Sequence, residues 1–269
     1  MAEYSLDDLR YLMSRLRDPV DGCPWDKQQS FSTIAPHTIE ESYELLDAIE
    51  SGDYQQIKEE LGDVLFQVIF YAQLGQEQNQ FDFNTIVSGL VDKLIRRHPH
   101  VFPQGTLESR SSGMAIDQVE IKKNWETIKA AERIGKQKQG VLDDIPQSFP
   151  ALTRAEKLQK RAAQVGFDWD DSCGALEKIS EEIAELKEAM KQTDKRHVEE
   201  ELGDLLFSVV NLSRHLKLNS ETALRVANKK FEARFRYIEQ VLIAKGSSAN
   251  AASLEQMDML WQQAKEQGL

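Results

Sequence analysis

Apolar residues along most of the chain recur every three or four positions, which is the spacing of one face of an α-helix. Leucines and a methionine between Leu6 and Leu16 form the first such face, and Arg17-Asp18-Pro19 ends it. No stretch sustains the alternation of apolar and polar residues that is typical of a half-buried strand. The pattern therefore predicts an all-α fold of packed helices.

Nine further helices are predicted from the same periodicity, each bounded by polar, glycine or proline residues. In the first half of the chain they cover about 37–51, 54–78, 81–98 and 114–134. In the second half they cover 151–163, 172–191, 195–216, 220–242 and 253–266. Pro24 and Pro36 are predicted to bracket a polar loop, Cys23 to His37, ahead of the second helix.

Two acidic segments of the first half recur in the second half at a constant offset of 141 residues, without a gap. Residues 40–44 (EESYE) and 59–63 (EELGD) correspond to residues 181–185 (EEIAE) and 200–204 (EELGD). An internal repeat of this length predicts two domains with the same architecture. We expect a helical domain at 1–134, a linker with GKQKQG and two prolines at 135–150, and a second helical domain at 151–269.

The repeated acids have a spacing that suits a shared site. Residues three apart lie on one helix face, and an antiparallel helix hairpin would bring two such acidic pairs opposite each other. Their negative charges repel unless a cation lies between them. Oxygen ligands suit Mg²⁺, for which Mn²⁺ can substitute. The predicted ligands are Glu182, Glu185, Glu201 and Asp204 in the second copy, and Glu41, Glu44, Glu60 and Asp63 in the first.

A single EExxE segment is more often a solvated acidic helix face than a metal site. Here the acids recur at matched spacing, and Asp63 and Asp204 each lie directly before an apolar block, VLF or LLF. An unpaired charge is costly so close to residues that should pack. The repetition therefore favours a metal site over a solvated face.

Each copy also carries a basic pair downstream of its acids. Lys93 and Arg97 in the first copy, like Lys230 and Arg234 in the second, are four residues apart and share a helix face. These cations are suited to hold phosphate oxygens. Pairing with surface carboxylates is the alternative for either pair taken alone.

A tryptophan follows each basic pair, with a lysine four residues later. Trp125 precedes Lys129 in the first copy, and Trp261 precedes Lys265 in the second. Either tryptophan could stack on a base or pack in a core. A further aromatic residue, Trp25 or Trp169, lies ahead of the first acidic helix in each copy, where it could wall a base pocket or anchor a loop.

Composition narrows the class of partner and the compartment. A formal charge of −12 and a pI near 5.0 argue against sequence-independent nucleic-acid binding, which needs a basic surface. The two cysteines, Cys23 and Cys173, imply no disulfide framework, which favours a reducing cytoplasm. The longest apolar run, 64–74, contains two glutamines and is too short to span a bilayer, so no membrane association is expected.

Taken together, EExxE…ExxD, the KxxxR helix and the leading CPWD…TIAPHTIEE resemble the MazG family over nearly the whole chain. MazG proteins are two-copy, all-α nucleoside triphosphate pyrophosphohydrolases of bacteria. The resemblance implies hydrolysis of the α–β phosphoanhydride to a nucleoside monophosphate and pyrophosphate, a Mg²⁺ requirement and a homodimer. Control of nucleotide pools is the role that such an activity would serve.

The resemblance also assigns roles to individual residues. Glu182 or Glu181 is expected to take the proton from the attacking water, while four acids of each copy hold the metal. The residues matching nucleotide-binding positions of the family are Lys178, Glu181, Glu200, Lys230, Arg234 and Trp261, together with Lys93, Arg97, Trp125 and Lys129 of the first copy.

Two other functions remain compatible with the same residues. One is a non-enzymatic helical dimer that binds partner proteins and uses its acids for solubility. Such a module has no reason to keep acids, a basic pair and a tryptophan in matching register. The other is a related phosphohydrolase selective for dUTP or ppGpp, which differs only in the walls of the base pocket.

Overall fold

The computed structural model describes residues 3–111, 140–192 and 194–269, together with 117, 120, 121, 124, 125, 127, 128 and 132. Within these residues all regular structure is helical, and no strand occurs. The all-α fold predicted from the periodicity is confirmed. By its contacts the chain divides into two compact units, Met1–Ala131 and Glu132–Leu269.

The first unit contains five helices with assigned bounds. They are α1 (Leu6–Leu16), α2 (Pro24–Gln28), α3 (Phe31–Ser51), α4 (Tyr54–Glu77) and α5 (Phe83–Arg97). The predicted helix 114–134 lies mostly outside the described residues. Of those that are described, 117 is not helical, and 120, 121, 124, 125, 127, 128 and 132 are helical.

The described residues of the second unit form five helices, which follow the order of the first unit except that α2 has no counterpart. They are α6 (Ala151–Ala163), α7 (Ser172–Ala189), α8 (Lys195–His215), α9 (Ser220–Ala244) and α10 (Leu254–Glu266). Residues 140–150, which the sequence suggested as linker, contact this unit. Ile145 is buried, and Asp144 forms a 2.9 Å ion pair with Arg161 of α6.

The predicted loop from Cys23 to His37 is wrong, because most of it is helical. Pro24 occupies the first position of α2, where its missing amide donor costs nothing. Ser30 then caps α3 by accepting from the Thr33 amide, so this helix starts at Phe31. Pro36 falls in the second turn of α3, where it removes one amide donor without ending the helix.

A buried arginine holds the short helix α2 against α4. The guanidinium of Arg17 donates to the main-chain oxygens of Asp26 and Gln29 and, through Nε at 2.8 Å and Nη2 at 2.6 Å, to both carboxylate oxygens of Glu77. Its side chain is 7% exposed. Paired in this forked geometry, the buried charge fixes the segment before α3.

A helix hairpin forms the centre of each unit, with α3 packed on α4 and α7 packed on α8. The first hairpin turns at Gly52, whose φ of 75° is a left-handed conformation that glycine adopts without strain. Asp53 and Asp194 are the N-caps of α4 and α8. Their side chains accept hydrogen bonds from main-chain amides in the first turn of each helix. These turns set the register in which the acidic residues of the two helices meet.

The buried cores lie beside the hairpins. In the first unit, Met13, Ile34, Ile69, Phe70 and Leu74 join α1, α3 and α4. In the second unit, Ile238, Leu242 and Leu260 join α9 and α10. In the described part of the chain, no helix is both long and apolar enough to cross a membrane.

Gly75 tests the packing at the end of α4. A Cβ at this position would lie 2.5 Å from the Phe81 ring, which packs against Phe31 at 6.0 Å. Gly75→Ala is therefore expected to destabilise the protein by about 1–3 kcal/mol in urea titrations. Gly89 of α5 has open space around it, so Gly89→Ala should instead stabilise by about 0.5–1 kcal/mol. Equal effects of the two substitutions would contradict the packing.

Candidate functional site

The helix hairpins bring three carboxylates together in each unit. In the second unit these are Glu182 from α7 and Glu201 and Asp204 from α8, each with an oxygen within 4.8 Å of the others. In the first unit they are Glu41 from α3 and Glu60 and Asp63 from α4, within the same limit. We call these sets the second and the first carboxylate triad.

The remaining acid of each predicted set of four lies beside its triad. Both side chains are largely exposed. Partial desolvation and then Glu182 raise the pKa of Glu185, and Glu44 adds to the burial that raises the pKa of Glu60. Both acids therefore contribute negative charge to the site. Neither belongs to the group of oxygens that converge within 4.8 Å.

Glu182 is the most deeply buried acid of the second triad, with 4% of its surface exposed. Its Oε1 is 2.8 Å from Nζ of Lys178, but Oε2 has no hydrogen-bond partner in the described structure. A buried carboxylate oxygen is costly to leave unpaired, and here two further carboxylates lie against it. A divalent cation with a preference for oxygen would satisfy all three, so the residues fit Mg²⁺ or Mn²⁺.

Lys178 supplies positive charge at the edge of the second triad. Its Nζ lies 2.9 Å from Glu181 and 2.8 Å from Glu182, and the hydrogen bond to Glu182, followed by that to Glu181, raises the pKa of the lysine. The lysine is therefore protonated at neutral pH. The position 141 residues earlier holds His37, which lies 3.4 Å from Glu40 instead.

The first triad has no lysine at the position of Lys178, and two of its acids, Glu41 and Glu60, have raised pKa values. Burial, then the charges of Asp63 and Glu44, raise the pKa of Glu41. Burial, then Glu44 and Asp63, raise the pKa of Glu60. These two carboxylates therefore bind protons more tightly in the folded than in the unfolded state. The free energy of unfolding falls as the pH rises from their unfolded pKa through their raised folded pKa. A bound cation would offset this loss.

A cleft of about 630 Å³ in the second unit opens onto the second triad. Lys178, Glu182 and Asp204 line one part of it. The other walls are mainly apolar and aromatic, with a few polar groups, and come from α6, α8 and the segments before α6 and α7. These residues are Leu142, Leu158, Gln159, Ala162, Gly166, Phe167, Asp168, Trp169, Phe207, Ser208, Asn211 and Arg214.

An ion-pair group fixes the aromatic wall of this cleft. Both terminal nitrogens of Arg214 donate hydrogen bonds to the carboxylate of Asp168, with Nη1 at 2.9 Å. Nε2 of His215 lies 3.1 Å from the same carboxylate. Burial would raise the pKa of Asp168, but the hydrogen bond and charge of Arg214 hold it below its usual value. Trp169 follows directly and rests against Gly174 of α7, whose missing side chain leaves room for the indole.

In the first unit the positions equivalent to Asn211 and Ser208 carry larger side chains. Phe70 stands 141 residues before Asn211 and is fully buried. Gln67 stands at the position of Ser208 and lies 3.4 Å from the Thr38 hydroxyl. The ring of Tyr71, next to Phe70, stacks on Phe31 at 5.7 Å. The two triads are alike, but their neighbourhoods differ.

The predicted basic pair and tryptophan of the second copy lie on α9 and α10. Arg234 donates to the main-chain oxygen of Leu269 at 2.7 Å and lies over the Trp261 ring, 5.4 Å from its centroid. Trp261 also packs on Phe231 and borders the core of α9 and α10. Neither residue contacts the second triad within the described structure, and Lys230 is exposed on α9.

The other predicted nucleotide-binding residues have simpler placements. Glu200 accepts from Arg196 at 3.2 Å on the exposed side of α8. Lys93 and Arg97 lie half-buried on α5, and Trp125 is exposed. Lys129 lies outside the described residues.

Sequence reasoning missed most of the cleft. Gln159 could have been predicted as a buried polar residue. It lies on the same helix face as Ala155 and Ala162, where an apolar residue is expected. Asp168 and Arg214 had none, since they are 46 residues apart and only the fold pairs them. His197, which lies 3.6 Å from Glu201, was also missed.

Comparison with known proteins agrees with this architecture. Residues 29–102 and 174–238 match the MazG nucleotide pyrophosphohydrolase domain, and each segment contains one triad. The chain belongs to the MazG nucleotide pyrophosphohydrolase family.

Several relatives resemble the chain over nearly its whole length. It is 50% identical to the nucleoside triphosphate pyrophosphohydrolase of Escherichia coli (strain K12) over 97% of each chain. It is 44% identical to the nucleoside triphosphate pyrophosphohydrolase/pyrophosphatase MazG of Thermotoga maritima over 96% of this chain and 95% of the relative. The uncharacterized protein YabN of Bacillus subtilis is 41% identical over 98% of this chain and 52% of its own length.

The charge on Lys178 is expected to stabilise the second unit. Lys178→Met should lower the unfolding midpoint at pH 7, because Glu182 would remain buried with no cation beside it. The loss should shrink at acidic pH, where the carboxylates become protonated. Lys191→Met is the control, since its pair with Glu188 is exposed and such pairs contribute about 0–1 kcal/mol. A loss no larger than that of the control would contradict the ion pair.

Proposed function

We propose that the second unit is a Mg²⁺-dependent nucleoside triphosphate pyrophosphohydrolase that acts on ribo- and deoxyribonucleotides. The observation that carries the proposal is the buried, half-unpaired carboxylate of Glu182 between two acids at the mouth of a cleft. Family membership and the names of the relatives from Escherichia coli and Thermotoga maritima support the same activity. The products are a nucleoside monophosphate and pyrophosphate.

The second triad, with Glu185 beside it, would hold the metal. Mg²⁺ bound there would neutralise phosphate charge and lower the pKa of a coordinated water. Glu181 lies outside the triad and is exposed, and since Lys178 engages its Oε1, we assign Oε2 to take the proton of the attacking water. Lys178 bridges Glu181 and Glu182 and keeps the two carboxylates in a fixed relation.

Charge on the leaving pyrophosphate needs cations that the triad does not provide. Lys178 lines the cleft beside Glu182 and is suited to this role. Lys230 and Arg234 remain candidates from the sequence, with Lys230 the more accessible because Arg234 is engaged by Leu269 and Trp261. Fixed cations at this position would stabilise the charge that develops on the leaving group.

The difference between the units indicates which copy turns over substrate. Both hold a carboxylate triad, but the cleft positions of the second unit are occupied in the first by Phe70 and Gln67. We therefore propose that the second copy is the active one, and that the first copy binds metal without efficient hydrolysis. A role in nucleotide-pool control follows from this activity.

The main rivals are selectivity for dUTP or ppGpp and a non-enzymatic, partner-binding role. A screen of NTPs, dNTPs, dUTP and ppGpp with Mg²⁺, scored for monophosphate and pyrophosphate, separates them. We expect pyrophosphate from several triphosphates and none after chelation. Turnover of dUTP alone or of ppGpp alone would favour the narrower phosphohydrolase, and no turnover would favour the partner-binding role.

A homodimer is proposed from an apolar stripe that appears in both units. Leu202, Leu206 and Val209 share one face of α8 and are 46%, 50% and 41% exposed. Leu61, Leu65 and Val68 stand at the same positions of α4 and are 52%, 40% and 38% exposed. Such repeated exposure is typical of a surface that another helical bundle covers, and a second copy of the chain is the simplest partner.

Kinetics of matched substitutions test the choice of the active copy. Glu182→Gln should lower kcat by at least about 100-fold, because one metal ligand loses its charge. Glu41→Gln, the equivalent change in the first copy, should leave most of the activity. Circular dichroism on both variants controls for helix content. If Glu41→Gln proves the more damaging, the assignment of the active copy is wrong.

Light scattering after size exclusion tests the dimer. The wild type should give about twice the chain mass of 30.7 kDa. Leu65→Glu with Leu206→Glu should give the monomer mass, because charges would be buried in the interface. Met190→Glu, at another exposed apolar residue, is the control and should remain dimeric. A monomeric wild type at micromolar concentration would contradict the proposal.

A further inference from the structure

Gln159 is a buried amide whose hydrogen bonding is only half satisfied. It lies on α6, is 8% exposed and lines the cleft of the second unit. Its Nε2 donates to the main-chain oxygen of Phe207 at 2.8 Å. Its Oε1 is buried and has no hydrogen-bond partner in the described structure.

The orientation of this amide is fixed by its one partner. A main-chain carbonyl can only accept, so the nitrogen of the side chain must face Phe207. The oxygen is therefore an acceptor with two vacant lone pairs. A buried acceptor without a donor is destabilising, so a ligand that brings a donor to it removes that penalty and binds more tightly. The site thus selects for a ligand with a donor.

The rest of the cleft shows what kind of ligand would carry the donor. If the triphosphate lies at Lys178, Glu182 and Asp204, the attached nucleoside extends along the remaining walls. Those walls carry the aromatic rings of Phe167 and Trp169, which suit stacking on a base. A volume of about 630 Å³ is in the range of small-molecule sites.

We infer that Gln159 is a specificity-determining residue whose Oε1 accepts a hydrogen bond from the exocyclic amino group of adenine or cytosine. The inference rests on the proposed function, because it takes the triphosphate at the second triad as given. It goes beyond that function by naming the base that the cleft favours and the atom that reads it.

The neighbours of Gln159 explain why an amino group is favoured over the ring N–H of uracil or thymine. That ring N–H lies between two carbonyl oxygens, which need donors of their own when buried. Leu158, Ala162 and the Phe207 side chain offer none, and Arg214 is already engaged by Asp168 and Asn211, so the cleft has few donors for two carbonyl oxygens. In adenine and cytosine the amino group instead lies next to a ring nitrogen, to which the hydroxyl of Ser208, also in the cleft, can donate.

Nucleotides that differ by one amino group test the inference directly. ATP and purine riboside triphosphate differ only in the 6-amino group. Wild-type protein should favour ATP in kcat/KM by about 10- to 100-fold, since the analogue leaves Oε1 unpaired. Gln159→Met, which keeps the length of the side chain but has no amide, should bring the ratio close to one. Lys160→Met, at the exposed neighbour, should keep the wild-type ratio.

Binding without turnover gives a second measurement that does not depend on hydrolysis. With Ca²⁺ in place of Mg²⁺, calorimetry should show ATP binding about 10- to 100-fold more tightly than purine riboside triphosphate to the wild type. CTP should exceed pyrimidin-2-one riboside triphosphate in the same way. These wild-type comparisons hold even if Gln159→Met does not fold.

The possible failures are distinguishable. Equal kcat/KM and equal affinity for ATP and its analogue would overturn the role of Gln159 while leaving the proposed hydrolysis intact. A preference for ATP that survives in folded Gln159→Met would also overturn it. Absence of both binding and hydrolysis for every triphosphate would overturn this inference together with the proposed function.

Discussion

Repulsion among carboxylates on paired helices is the constraint on which the organisation of this protein depends. Each hairpin carries three acids whose oxygens lie within 4.8 Å of one another, close enough for strong mutual destabilisation. The fold tolerates this only because the helices are anchored elsewhere, by N-caps, by the Arg17 network and by the apolar cores. The acids are therefore poised to bind a cation, and the proposed chemistry uses that property.

The two units relieve the repulsion to different degrees. Lys178 pairs with Glu182 in the second unit, whereas its counterpart His37 pairs with Glu40 in the first, where burial and neighbouring carboxylates raise the pKa values of Glu41 and Glu60. The second unit has a cleft beside its triad that Asn211 lines, and the equivalent position of the first unit holds the buried Phe70. Both copies of the repeat thus contain a carboxylate triad, and the triad of the second copy lies beside a cleft.

Sequence periodicity was enough to predict the helices and the register of the acids, because both follow from local geometry. The i, i+3 spacing placed Glu201 and Asp204 on one face, and the structure brings them to Glu182. The helices within Cys23–His37 were not predicted, because Pro24 and Pro36 were interpreted as bounds of a loop, whereas Ser30 caps a helix there. The cleft could not be predicted, since its aromatic wall depends on the Asp168–Arg214 pair, which only tertiary packing forms.

Metal binding by the second triad is the central claim, and direct titration tests it most simply. Mn²⁺ binding followed by electron paramagnetic resonance counts the sites in the wild type and in Glu182→Gln with Glu201→Gln. Retention of the site in the first unit and loss of that in the second would agree with the account. Unchanged Mn²⁺ binding in a folded double variant would show that the second triad is not a metal site.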